Sequence, residues 1–266
     1  MSRITTVFNQ LKAQQSKAFI PFITAGDSGI DNTYALMQTL VENGADIIEL
    51  GVPFSDPMAD GPMIAKSHER AVAGGVSLHD VLDLVTRFRQ TNTETAIVLM
   101  GYLNPIEVFG YQAFAQAAST AGVDGVLVVD MPPEEAHDLK QHLDEVDVDF
   151  IFLVAPTTTN DRLEFLANVA SGFVYFVSLK GVTGAGHIDV DAVNQNLLRI
   201  RQFINLPVGV GFGIKDAETA RAVSPSADAV IVGSSLVSFV ERYADQRDKM
   251  LSHVGALSAE ISAAVK

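Results

Sequence analysis

Eight times along this chain a short, unbroken apolar run gives way to a stretch of helical periodicity, and that alternation limits the fold more than any other feature. The runs are Ala18–Thr24, Asp46–Gly51, Ala96–Met100, Gly125–Val129, Asp149–Val154, Phe173–Val177, Pro207–Gly211 and Ala229–Val232. Between them the spacing predicts helices at Tyr34–Val41, around Ile64–Ala71, at Leu78–Phe88, Tyr111–Ala121, Glu134–Leu143, Asp161–Val169 and Val190–Phe203, and from Asp216, with further helices at the C-terminus. Strands apolar on both faces belong to a parallel sheet whose two faces are covered. Eight such units in 266 residues match an α/β chain folded as a (β/α)8 TIM barrel, typically about 250 residues long. A doubly wound open sheet is the runner-up. No change of composition marks a linker, so 1–266 reads as a single domain. Its first segment, with Ile4, Val7, Phe8 and Leu11 at helical spacing, reads as an amphipathic cap helix rather than a signal peptide.

In a barrel of this kind the chemistry belongs to the loops at the C-terminal strand ends, and the unusual residues fall there. Ile47–Pro62 (IIELGVPFSDPMADGP) sets Glu49 between Ile48 and Leu50 and continues into a loop that three prolines keep from being helical. An acid desolvated in such a strand has its pKa raised, which suits it to general acid/base work; the plain alternative is a structural carboxylate. Asp56 and Asp60 lie on that loop, and each is equally an ordinary turn residue. The physics of the sequence does not choose between them. Gly209-Val-Gly-Phe-Gly213 and Gly233-Ser-Ser235 follow the last two strands, where backbone amides and a helix N-terminus can hold phosphate. The first segment is no dinucleotide fingerprint, because Ile214 stands where a third glycine is needed. Ser178–Gly186 (SLKGVTGAG) is equally a lid or a plain βα loop. Phe22, Met100, Tyr102, Val129, Tyr175 and Phe212 lie near strand ends; each alone is a core residue, together they make an aromatic-sized pocket.

Exclusions come from composition. There is no cysteine, and the six histidines show no ligand spacing, so no metal site is expected. A net charge of −14 argues against nucleic acid or an anionic membrane surface as partner, and no apolar run approaches membrane-spanning length. The absence of cysteine fits a cytoplasmic protein.

PFITAGD (21–27), IELGVPFSDPMADGP (48–62), GYLNPI (101–106), GVTGAG (181–186) and GVGFGI (209–214) closely resemble the tryptophan synthase alpha chain family, in order and over nearly the whole chain. The resemblance implies a lyase that performs retro-aldol cleavage of indole-3-glycerol phosphate to indole and D-glyceraldehyde 3-phosphate. It implies no cofactor in this chain, and a beta-chain partner that uses pyridoxal phosphate (PLP) to make L-tryptophan, in an α2β2 tetramer. Carried over residue by residue, it makes Glu49 the general acid/base and Asp60 the acceptor for the indole N–H. Thr183 would position Asp60 on lid closure. Phe22, Tyr102, Tyr175 and Phe212 would wall the indole, and Gly184, Gly213, Gly233 and Ser234 would hold the phosphate, with Ser235 as the alternative to Ser234. Where the family's lid often reads serine-arginine, this chain has Leu179-Lys180. The loops Asp56–Pro57 and Met131–Glu135 are the expected partner face. Two other functions compete: a different phosphate-binding barrel isomerase or decarboxylase, which generally needs a rim lysine or metal, and a mainly regulatory subunit.

Overall fold

The computed structural model describes residues 2–178, 189–211 and 213–266. Its strands are β1 (Ala18–Thr24), β2 (Ile47–Gly51), β3 (Ala96–Gly101), β4 (Gly125–Val128), β5 (Asp149–Val154), β6 (Val174–Val177), β7 (Val208–Gly211) and β8 (Ala229–Val232). Each pairs in parallel with the next, and β8 pairs with β1 to close an eight-stranded barrel. Among the described residues the helices are α1 (Arg3–Ala13), α2 (Ile30–Glu42), α3 (Pro62–Ala73), α4 (Leu78–Arg89), α5 (Leu103–Phe109), α6 (Tyr111–Ala121), α7 (His137–Asp144), α8 (Asn160–Val169), α9 (Val190–Ile200), α10 (Ala217–Val223), α11 (Ser234–Arg242) and α12 (Arg247–Val265).

The period-two alternation of strand side chains divides the core in two. Ile48 and Leu50 join the large cluster between barrel and helices, together with Phe19, Ile23, Leu99 and Phe176. Ile47, Ile20, Val98, Leu127, Ile151, Phe173, Tyr175 and Ile231 fill the barrel itself. Parity therefore puts Glu49 on the inner face, and strand register sets it level with Phe22 of β1 and Val98 of β3. The cap helix α1 presses Ile4, Phe8 and Leu11 into the N-terminal end of the barrel, with the Phe8 and Phe173 rings 5.8 Å apart. That end is closed by packing.

A repeated device pins the strand starts. Asp46 beside β2 accepts the N–H of Phe19 in β1, and Asp124 before β4 accepts that of Ile97 in β3. Ser171 before β6 accepts the N–H of Phe150 in β5, and Asp228 before β8 that of Val208 in β7. Each pair satisfies a backbone donor that the parallel ladder leaves over. Asp124, 3% exposed, also receives Arg3 and Arg89.

Two local features differ from the sequence expectation. GYLNP is not only an exit loop: α5 begins at Leu103, because the carboxylate of Asp130 accepts the Leu103 N–H and Pro105 falls in the first turn, where its missing donor is harmless. The helix expected from Glu134 begins instead at His137. Residues 133–135 form a tight 3-10 turn, with Glu135 donating to the Pro132 carbonyl and Ala136 to that of Pro133.

Candidate active site

Glu49 is 2% exposed and its Oε1 has no hydrogen-bond partner among the described residues. Burial first, and the facing carboxyl of Asp60 second, push its pKa from 4.5 to about 8. At neutral pH it therefore carries a proton, which it can deliver inside the barrel and afterwards recover.

Asp60 reaches this place because its loop folds back across the barrel mouth. The Tyr102 hydroxyl, just beyond β3, donates to Asp60 Oδ2 at 2.7 Å and accepts the Ala59 N–H at 3.0 Å. One tyrosine thus fixes both the loop backbone and the acid it carries. Phe54, from the same loop, stacks on the Tyr102 ring at 5.0 Å. Burial raises the Asp60 pKa and the Tyr102 hydrogen bond opposes that rise. The Tyr102 hydroxyl in turn is held protonated, chiefly by burial and then by its bond to Asp60. Asp56, by contrast, is exposed, and its carboxylate accepts the neighbouring Ser55 hydroxyl.

Tyr175 stands on the inner face of β6, its hydroxyl held protonated by burial and by the nearby charges of Glu49 and then Asp60. Space for it comes from β7, whose inner face is Gly209 and Gly211; a Cβ at Gly211 would collide with the Tyr175 hydroxyl. Gly51 does the same for Phe22, whose ring tip would lie 2.7 Å from an added Cβ. Phe22 packs against Ile64 of α3, Val237 of α11 and Met100. Two glycines at strand ends are thus what admit these two aromatic side chains.

Gly233 is the N-cap of α11, and Ser234 and Ser235 open that helix, where the first N–H groups have no partner within the helix. Gly213 has φ +77, a conformation that favours glycine. Thr183, Gly184 and Phe212 lie outside the described residues, as do Leu179 and Lys180 of the expected lid; Ser178, at its start, donates through its hydroxyl to the Gly211 carbonyl at 2.9 Å.

Sequence reasoning passed over three contributors. His68 of α3 lies beside Asp60 and holds the Phe54 backbone; it was considered only as a metal ligand. Ser67 hydrogen-bonds Thr24 at 2.5 Å, tying α3 to the end of β1. Asp27 of the TAGD loop is gripped by Arg70, which also reaches Glu241 of α11. Spacing on α3 was the available signal: residues 67, 68 and 70 directly follow the acidic loop. Among the described residues no cluster of three metal-ligating side chains exists.

Comparison with known proteins bears on this arrangement. Residues 8–266 match the family model described as tryptophan synthase alpha chain. The chain is 71% identical, over the full length of both, to the tryptophan synthase alpha chain of Ruthia magnifica subsp. Calyptogena magnifica. It is 57% identical to that of Cupriavidus taiwanensis, over 100% of this chain and 99% of the relative. The structure is similar to the crystal structure of tryptophan synthase subunit alpha from Legionella pneumophila, with TM-score 0.93 and 42% identity over 100% of this chain and 98% of that one. It is also similar to a chain of the tryptophan synthase complex from Pyrococcus furiosus, with TM-score 0.83 and 35% identity over 92% and 98% of the two chains.

Proposed function

The chain belongs to the tryptophan synthase alpha chain family, and from that membership we propose that Glu49 and Asp60 carry its reaction. The enzyme is a carbon–carbon lyase: it cleaves indole-3-glycerol phosphate to indole and glyceraldehyde 3-phosphate in tryptophan biosynthesis, and its partner is the tryptophan synthase beta chain.

In our reading, protonated Glu49 gives its proton to the indole ring carbon that bears the glycerol chain. The ring becomes cationic, with the charge centred on nitrogen. Asp60 accepts the indole N–H and stabilises that charge as it develops, in a site where burial strengthens the interaction. The Glu49 carboxylate then takes the proton of the glycerol hydroxyl next to the ring. As that oxygen becomes the aldehyde carbonyl, the carbon–carbon bond breaks and its electron pair restores the aromatic indole. One proton leaves Glu49 and one returns, so a single carboxyl with a pKa of about 8 serves both steps.

Phe22, Tyr102, Tyr175 and Phe212 would wall the indole, and Thr183 would support Asp60. The amides of Gly184, Gly213, Gly233 and Ser234 would hold the phosphate, the last two at the positive end of α11. The steps are proton transfers with the protonated ring as electron sink, so we assign no cofactor to this chain and place PLP in the beta chain. We further take residues 1–266 to act as one domain, supported by the closure of β8 on β1, in an α2β2 assembly in the cytoplasm. No helix among the described residues is long and apolar enough to cross a membrane.

The observation that carries this reading is Glu49, buried, without a partner for Oε1 among the described residues and facing a second carboxyl. The test is indole release from indole-3-glycerol phosphate by the chain with a beta chain, comparing wild type with Glu49→Gln. We expect the variant to lose at least roughly a hundredfold in rate, the lower range for general acid/base catalysis. Full activity in the variant would move the proton to another carboxyl; no indole from wild type would remove the reaction itself.

A further inference from the structure

His68 is 2% exposed, on the first turns of α3, and both of its ring nitrogens face the catalytic loop. Nδ1 accepts the N–H of Phe54 at 3.1 Å. A nitrogen that accepts cannot carry the proton, so the proton of the neutral ring sits on Nε2. Nε2 lies 3.7 Å from Asp60 Oδ2, the same oxygen to which Tyr102 donates. The His68 ring also meets the Tyr102 ring edge-on, with centroids 6.3 Å apart. Loop backbone, histidine, tyrosine and aspartate thus form one cluster, in which His68 and Tyr102 both address Oδ2 and neither engages Oδ1.

At 3.7 Å the N–H is too far for a formed hydrogen bond, but the nitrogen that carries it lies beside the Asp60 carboxyl in a poorly solvated place. Contacts of this kind often tighten only when substrate is bound. Burial lowers the His68 pKa to about 4, so the ring stays neutral wherever the enzyme works. It cannot form an ion pair that would lock Asp60 in place or quench its charge.

We propose that His68 is a positioning residue for the lyase reaction: its Nε2–H and the Tyr102 hydroxyl together hold Asp60 Oδ2, which leaves Oδ1 to the indole N–H. The inference rests on the reaction assigned above. It gives α3 a second task besides packing, because the residues that flank His68, Ser67 and Arg70, anchor the same helix to Thr24 and Asp27 after β1.

The test uses the complete alpha–beta complex and reads kcat/KM for indole release against pH for wild type, His68→Asn and His68→Gln. Asparagine keeps an acceptor near the Phe54 N–H but has no donor at the Nε2 position, whereas glutamine restores an N–H at that reach. The acid limb reports Asp60, whose titratable neighbours among the described residues are Glu49 of β2, Tyr102 after β3, Tyr175 of β6 and His68 of α3. The alkaline limb reports Glu49. Losing a dipole that favours the carboxylate moves the acid limb of His68→Asn upward by about half to one pH unit; the alkaline limb stays, and His68→Gln returns the acid limb toward wild type. A role confined to packing lowers the active fraction without moving either limb, and limb positions are readable from whatever fraction remains active. An acid limb unmoved in His68→Asn, or moved equally in His68→Gln, overturns the proposal while the lyase reading stands. Absence of indole from wild type overturns both.

Discussion

Replacing Glu49 by glutamine should raise the stability of the protein relative to wild type as the pH rises from 5 to 8. The folded chain holds this carboxyl protonated up to about pH 8, whereas the unfolded chain ionises it near its ordinary value of 4.5. Between those two values the unfolded state has released a proton that the folded state retains, so wild-type stability falls as pH rises through the window. At 1.36 kcal/mol per pH unit the penalty is about 1 kcal/mol at pH 5 and roughly 4 kcal/mol at pH 8, and it levels off above that. Glutamine is neutral throughout and of nearly equal shape. Its buried amide adds an offset, because Oε1 here has no partner among the described residues, but that offset does not change with pH. The stability advantage of Glu49→Gln over wild type should therefore grow by about 3 kcal/mol from pH 5 to pH 8. In thermal midpoint this is about 6 °C, at about 2 °C per kcal/mol for a chain of this size. Differential scanning fluorimetry of both proteins across that range is sufficient. An advantage that stays flat from pH 5 to pH 8 would show that Glu49 is ionised in the folded protein, and the proton-delivery step would fail with it.

Gly211→Ala places a methyl where the Tyr175 hydroxyl now sits; overpacking of this kind costs about 1–3 kcal/mol. We expect KM for indole-3-glycerol phosphate to rise as the ring is displaced, and the double variant with Tyr175→Phe to recover part of the loss. Equal KM in Gly211→Ala and wild type would mean the ring does not border the substrate. Asp124→Asn, at the far end of the barrel, leaves two arginines without their carboxylate. Breaking a buried pair costs roughly 3 kcal/mol, so the melting point should fall while kcat at 25 °C is unchanged; a lost kcat in a stable variant would contradict the separation of the two ends.

Most of the barrel was legible because its strands are short and uniformly apolar, and each ended within one residue of its predicted limit. Helix starts were less so. The start of α5 depends on Asp130, which arrives from the next βα unit to cap Leu103, and no local pattern at 101–106 announces it. α7 starts late because two prolines tighten the preceding turn, a cue that was present and underweighted.

Strand periodicity by itself determined that Glu49 takes the face opposite Ile48 and Leu50; that this is the inner face followed from the barrel, whose outer core claims both neighbours. It also determined that glycines and acids gather at one rim. Local sequence physics did not choose between Asp56 and Asp60; the family resemblance pointed to Asp60, and the tertiary structure supplies a physical reason for it. Both sit on one proline-bent loop and look alike locally; Tyr102, far along the chain, holds Asp60 over the barrel mouth with His68 beside it, while Asp56 stays in solvent beside Ser55. The desolvation that raises the Glu49 pKa is equally a property of the closed barrel, because a strand pattern encodes which face a side chain takes but not how much water is left when eight strands and a cap helix close around it.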